Sequence, residues 1–244
     1  MLSKIFVQSG YSVIAIDADP DANLAATLGY PDPENIVPIS EMADLIEERT
    51  GARPGQSAPY FKLNPKVDDI PEKYSREMEG IRLMIMGRVK RGGAGCYCPE
   101  SALLQTLMSH LLLARNEVVI MDMEAGIEHL GRGTARAVDK LLVVVEPGRR
   151  SIETANSIRN LADEIGIKNL AIVGNKVRNE SDREFIDSNL PGFSILGYIP
   201  YDQSVIEADH ANRSPLESSE QIRSAIMDIY RELIAGAETV TAEG

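Results

Sequence analysis

The run from Val13 to Leu24 reads Val-Ile-Ala-Ile-Asp-Ala-Asp-Pro-Asp-Ala-Asn-Leu, a short apolar stretch that stops on three alternating acids, Asp17, Asp19 and Asp21. Apolar residues without alternation mark a strand covered on both faces, as in a parallel sheet. Carboxylates at the end of such a strand stand where open α/β sheets bind ligands, and there they can hold magnesium or orient water. The plainer reading is a solvated acidic turn that caps a helix from Ala22. A nucleotide-hydrolysing chain of this build needs an earlier strand and a glycine-rich, lysine-bearing phosphate loop upstream. Only 12 residues precede Val13, and Gly10 is their one glycine. The expectation is a nucleotide-driven switch that starts inside the helix after that loop, with its first strand and phosphate cradle absent.

Further apolar runs predict parallel strands at Arg82–Met86, Glu117–Asp122, Lys140–Glu146, Leu170–Asn175 and Phe193–Pro200. Helical patterns fall between them at Glu100–Ala114, His129–Ala137, Ser151–Ile165 and Ser181–Asn189, with Ser151 and Ser181 as expected N-terminal caps. A last helix is expected over Ser218–Ile234, and one more, Ser40–Glu48, inside the turn-rich segment Pro31–Pro71. Strand–helix–strand repetition implies right-handed crossovers. The expected fold is therefore α/β: a doubly wound, mostly parallel sheet with helices on both faces, spanning residues 1–244 as one domain.

The 244 residues carry a formal net charge of −12, which argues against DNA held by counterion release. No apolar run approaches the ~20 residues of a membrane span. The tail Glu238–Gly244 has acids and no base, unlike a membrane-targeting helix. A cytoplasmic protein without nucleic-acid or membrane partners is expected.

Four more features carry chemistry. The strand Val118–Asp122 ends in an acid, with Gly126 four residues on, as in a Walker-B strand whose acid serves magnesium and whose glycine senses a phosphate. A buried strand with an Asx turn would look the same. Asn175-Lys176 offers the donor and acceptor that an adenine edge needs, and Pro200-Tyr201 closes the next strand. Either is also an ordinary turn. Cys96 and Cys98 are two residues apart after a glycine-rich stretch, too close for an unstrained disulfide. Two copies across a two-fold axis would supply four sulfurs for zinc, nickel or copper. Two unpaired thiols in a loop is the plainer reading. The histidines His110, His129 and His210 are scattered.

Asp17-Ala-Asp19-Pro-Asp21, Leu63–Asp68, the Cys96-Tyr97-Cys98 pair, Met121–His129 and Asn175–Arg178 together closely resemble the CooC-type nickel-insertion ATPases. These mature carbon monoxide dehydrogenase and belong to the deviant-Walker-A group with MinD, ParA and the nitrogenase iron protein. The resemblance runs along nearly the whole chain, and the cysteine pair separates it from MinD and ParA. It implies a homodimer closing around ATP and magnesium, with nickel or zinc held between subunits by Cys96 and Cys98. It implies further that Asp19 orients the attacking water, Asp17 and Asp122 serve magnesium, Gly126 belongs to a switch, and Asn175 faces adenine. The family's glycine-rich loop with its two lysines has no counterpart, and Lys4 on the remnant helix cannot replace it. A misassigned start is expected rather than a decayed switch, because every downstream acid is in place. ATP hydrolysis is then expected of a longer form and not of the chain as numbered. The alternatives are a non-hydrolysing dimeric thiolate metal carrier and a MinD- or ParA-like positioning ATPase.

Overall fold

A computed structural model describes residues 1–19, 21–56, 60–87, 98–113, 117–124, 137–211 and 214–241. The chain forms two compact units, Val7–Glu124 and Met1–Phe6 with Ala125–Gly244. It opens with α1 (Leu2–Gln8) and enters β1 (Val13–Asp17), all five of whose residues are buried. There follow α2 (Leu24–Leu28), α3 (Ala43–Thr50), α4 (Ile70–Tyr74), β2 (Arg76–Met78), β3 (Ile81–Ile85), α5 (Pro99–Leu113) and β4 (Val118–Asp122).

The strands of this unit pair in the order β2-β3-β1-β4. β1 lies between β3 and β4, parallel to both and in unbroken register, so Asp17 is flanked by Ile85 on one side and Asp122 on the other. Being central explains why β1 reads as continuous apolar sequence. Its Ile14 and Ile16 share a core with Leu45 and Ile46 of α3 and with Leu103, Leu104 and Leu107 of α5. The antiparallel edge strand β2 was not expected. It turns back into β3 through Glu79 and Gly80, whose φ angles of 50° and 77° are both positive, as a two-residue hairpin of the primed type requires. A glutamate in the first turn position is a weak signal for such a hairpin, so the sequence concealed it.

The other unit continues with β5 (Leu141–Val145), α6 (Arg149–Ile165), β6 (Leu170–Val177), α7 (Glu180–Asn189), β7 (Ser194–Pro200), α8 (Gln203–His210), α9 (Pro215–Ser218) and α10 (Glu220–Thr241). Its strands pair in parallel in the order β5-β6-β7. Ala171 and Val173 of β6, with Leu196 and Ile199 of β7, pack against Ile222, Ile226 and Ile229 of α10 and Ile5 of α1. The spacing of four and three along α10 is one apolar helix face. Phe6 meets the Tyr230 ring edge-on at 5.0 Å.

The predicted strands are all present, each within one residue of its expected bounds except at the end of β6. That strand runs on to Val177, so Asn175 and Lys176 lie within it, not after it. The helix caps are corrected. α6 begins at Arg149 after Gly148, and the Ser151 hydroxyl instead accepts from the Glu146 N–H at 3.0 Å. α7 begins at Glu180, capped by Asn179, whose side chain accepts from the Asp182 N–H at 3.0 Å. Asn179 stands three residues before that donor, the reach an N-cap needs, and so pre-empts Ser181. The helix expected from Ser40 starts later. Ile39–Glu41 is a 3₁₀ turn, and α3 runs to Thr50, closed by Gly51 in the left-handed region. The helix expected over His129–Ala137 lies outside the described residues, apart from Ala137.

Candidate functional site

Asp17, Asp19 and Asp122 stand at the C-terminal edge of the four-stranded sheet. Asp17 and Asp122 end adjacent parallel strands in register, which sets their backbones about 4.8 Å apart. Backbone bonds extend the ladder past both strands. The Ala18 N–H donates to the Asp122 carbonyl at 2.9 Å, and the Met86 N–H donates to the Asp17 carbonyl at 2.8 Å.

The three acids differ in setting. Asp17 is buried, with 1 % of its surface exposed. Its carboxylate accepts from the Asp19 N–H at 3.2 Å and from the Leu24 N–H at 2.9 Å. Asp19 is half-buried and accepts from the Asp21 N–H at 2.8 Å. Asp122 is exposed. Burial pushes the Asp17 carboxyl above the usual carboxylate range, the Leu24 and Asp19 N–H groups pull it part of the way back, and the Asp19 charge raises it again. The Asp122 carboxyl is also raised, first by loss of surrounding water and then by the negative charges of Asp17 and Asp19. Carboxylates that raise one another in this way are relieved by a cation, and hard oxygen donors suit magnesium. The described residues hold no cluster of three or more His, Cys, Asp or Glu side chains built as a metal cage. Magnesium needs none, since it binds through one or two carboxylates plus phosphate oxygens and water.

Asn175, Lys176, Pro200 and Tyr201 gather at the C-terminal edge of the three-stranded sheet. The pairing of β6 with β7 shifts register between Gly174 and Val177, and Lys176 holds a φ of 55°, left-handed for a non-glycine residue. The extra residue is accommodated there as a bulge, a device that re-aims side chains beside functional sites. The Asn175 side chain has no hydrogen-bond partner among the described residues, so its amide is available as both donor and acceptor. Lys176 pairs through Nζ with Glu146 Oε1 at 2.7 Å. Pro200 pairs with Val177, and the Tyr201 N–H donates to the Val177 carbonyl at 3.0 Å. The apolar pattern alone marks Glu146 only as the end of a strand. An acid closing a parallel strand, the signal that marked Asp17 and Asp122, also marks Glu146.

Cys98 opens α5, its carbonyl accepting from the Ala102 N–H at 3.1 Å. Its half-buried Sγ lies 3.0 Å from Ser101 Oγ. α5 connects β3 to β4, so its N-terminus lies at the same sheet edge as Asp17 and Asp122. Cys96 and Gly126 are outside the described residues. Lys4 is buried in α1 and ion-paired to Glu217 at 3.2 Å, which commits its ammonium to the other unit's own packing.

Residues 1–216 match the family model described as the CobQ/CobB/MinD/ParA nucleotide binding domain. The chain belongs to this nucleotide-binding family. Within it, the chain is of the CooC type. It is 47 % identical over 225 residues to the carbon monoxide dehydrogenase accessory protein CooC of Rhodospirillum rubrum, covering 91 % of this chain and 85 % of that protein. It is 44 % identical over 236 residues to an uncharacterized ATP-binding protein of Methanocaldococcus jannaschii, covering 96 % and 90 %. The fold of this CooC-type chain is shared with the MinC:MinD cell division protein complex of Aquifex aeolicus, at a TM-score of 0.67 and 20 % identity over 96 % of this chain and 88 % of that one. It is likewise shared with a ParA family ATPase from Chlorobium tepidum TLS, at a TM-score of 0.63 and 15 % identity over 95 % and 90 %. The α/β class expected from the sequence is thus the family's fold.

Proposed function

We propose that this CooC-type chain is an ATP-dependent nickel-insertion factor for carbon monoxide dehydrogenase or a related nickel enzyme, working as a homodimer around ATP and magnesium. The observation that carries the reading is the acidic edge: Asp17 and Asp122 in register, with Asp19 two residues on, in a chain 47 % identical to CooC. Asp122, its carboxyl raised first by loss of surrounding water and then by the charges of Asp17 and Asp19, serves the magnesium shell. Bound magnesium neutralises the charge that develops on transferring phosphate oxygens. Asp19 orients the attacking water. Asn175 reads the adenine edge, with Lys176, Pro200 and Tyr201 around it, and Gly126 belongs to the phosphate-sensing switch.

Nickel is cargo in this scheme. Cys96 and Cys98 supply two thiolates per chain, and two chains complete a four-sulfur site. Glu100 and Ser101 are hard-oxygen neighbours and poor ligands for a soft site. The experiment is a paired measurement, in a form that includes a phosphate loop, of phosphate release from MgATP and of nickel per chain, with oligomer mass read alongside. Hydrolysis that responds to nickel, with one nickel per two chains, is the expected result. One nickel per monomer without change of mass overturns the shared site. Metal binding with no hydrolysis, in a form that includes a phosphate loop, leaves a thiolate carrier instead.

A further inference from the structure

We propose that Ser101 is a positioning residue for Cys98: its buried hydroxyl donates to Cys98 Sγ and holds that sulfur in place as a metal ligand. The proposal rests on the thiolate reading above and adds to it the group that aims one of the two sulfurs.

Three observations converge on this pair. First, Cys98 Sγ and Ser101 Oγ lie 3.0 Å apart, within hydrogen-bond reach for a contact to sulfur. Second, Ser101 is buried, with 8 % of its surface exposed, and Cys98 Sγ is the one hydrogen-bond partner of its hydroxyl among the described residues. A buried hydroxyl needs a partner, so the contact is held by more than chance proximity. Third, the backbone fixes both residues. Cys98 immediately precedes α5, and its carbonyl accepts from the Ala102 N–H at 3.1 Å. Pro99 takes the first helical position, where its fixed φ suits the helix. Residues three apart on a helix are neighbours on its surface, which brings the Ser101 hydroxyl to the sulfur.

In the free thiol either atom can supply the proton. A metal-binding thiolate carries none, so there Ser101 alone can donate. The O–H then engages one lone pair of the sulfur and leaves the others for the metal. It fixes the sulfur's direction, as outer-shell partners do for other metal ligands. Cys98 also stands at the start of a 15-residue helix, where the backbone favours negative charge. A hard hydroxyl oxygen is a poor ligand for a soft metal, so the serine acts on the sulfur and not on the metal itself. Alanine at position 101 removes the donor and leaves no polar atom buried in its place. Threonine keeps the donor.

The test has two arms. In the metal-free protein, NMR side-chain couplings read the rotamer of Cys98. A single rotamer is expected in the unaltered protein and an average over several in Ser101→Ala. A Cys98 side chain already averaged in the unaltered protein, or unmoved by Ser101→Ala, overturns the proposal. The second arm titrates nickel alone against a competing chelator and follows the thiolate-to-nickel absorption. Ser101→Ala should weaken nickel binding by about 10–100-fold, as the loss of an outer-shell partner does. Its melting temperature should fall by no more than about 2–4 °C, the effect of one hydrogen bond in a chain of this length. Ser101→Thr should recover most of the affinity. Unchanged nickel affinity in Ser101→Ala, whatever its melting temperature, makes the serine a structural residue and overturns the proposal. Ser101→Thr that binds as weakly as Ser101→Ala, at an unchanged melting temperature, overturns it too. Failure of the unaltered protein to bind nickel through Cys98 counts against the thiolate reading alone, and the rotamer arm still decides whether Ser101 holds the sulfur.

Discussion

Gly174 ends the apolar part of β6, immediately before Asn175, and has room for no side chain. A Cβ built there would lie 2.5 Å from Tyr198 Cδ1, 3.1 Å from Tyr198 Cε1 and 3.3 Å from Ile186 Cδ1. Ordinary carbon contacts are ~3.5–4 Å, so in Gly174→Ala the ring must retreat by about 1 Å. The ring is not free to do so. Its hydroxyl donates to the Asp187 carboxylate, and the Arg183 guanidinium lies 5.3 Å from its centroid. Overpacking of this kind costs about 1–3 kcal/mol, offset by roughly 0.4–1 kcal/mol from the stiffer unfolded chain. The net loss should be about 1–2 kcal/mol. With a urea slope of ~2 kcal/mol per molar, the unfolding midpoint should fall by about 0.5–1 M. Amide exchange in β6 and β7 localises the effect. Combining Gly174→Ala with Tyr198→Ala should recover about 1 kcal/mol relative to the sum of the single changes, since the clash then has no partner. A second readout is the tyrosine titration. Burial and the Asp187 bond push the Tyr198 hydroxyl up to about 12, and a displaced ring should ionise at lower pH. An unchanged midpoint, or strict additivity of the two substitutions, would refute the reasoning.

Three other outcomes follow from the site. The Asp122 carboxyl is raised in the folded chain, so its contribution to stability is present below the unfolded value of 3.8 and lost as pH rises through the folded value. Asp122→Asn should therefore raise the melting temperature at pH 7, with the gain shrinking toward pH 4 and in high salt; an equal gain at both pH values counts against the repulsion. In a form that includes a phosphate loop, Asp19→Ala should slow hydrolysis by about 10²–10⁴-fold with nucleotide affinity little changed, because a water-orienting group acts in the transition state; unchanged turnover refutes the assignment. Replacing Cys96 and Cys98 together by serine should abolish nickel binding and loosen the dimer while the circular dichroism spectrum stays native. Retained nickel places the ligands elsewhere.

Much of the molecule was legible in the chain because most of its strands are parallel and apolar. β1 is central and needs both faces apolar, so Val13–Ile16 announces itself without alternation. Parallel order also forces the acids that close strands to one edge, and this is why Asp17 and Asp122 could be paired from sequence. The local detail was less legible. β2 is short, lies at an edge and turns on Glu79-Gly80, so neither its length nor its turn chemistry stands out. The caps at Gly148 and Asn179 depended on which of several neighbouring polar groups reached an N–H first.

The sequence by itself determined the class of the protein: covalent order places an acid at the end of three apolar runs, at Asp17, Asp122 and Glu146, and burial fixes which runs become strands. Only the tertiary structure decided the surroundings of those acids. Asp17 and Asp122 read alike in the chain, each an aspartate closing an apolar strand. Folding buries one and exposes the other, because Asp17 meets the N–H groups of Asp19 and Leu24, seven residues away at the farther end, while no such donors come to the Asp122 side chain among the described residues. A residue's spacing sets where it stands along its own strand. Which donors, charges and water surround it depends on how the following turn folds back and on which strand pairs beside it, and the apolar pattern does not encode that.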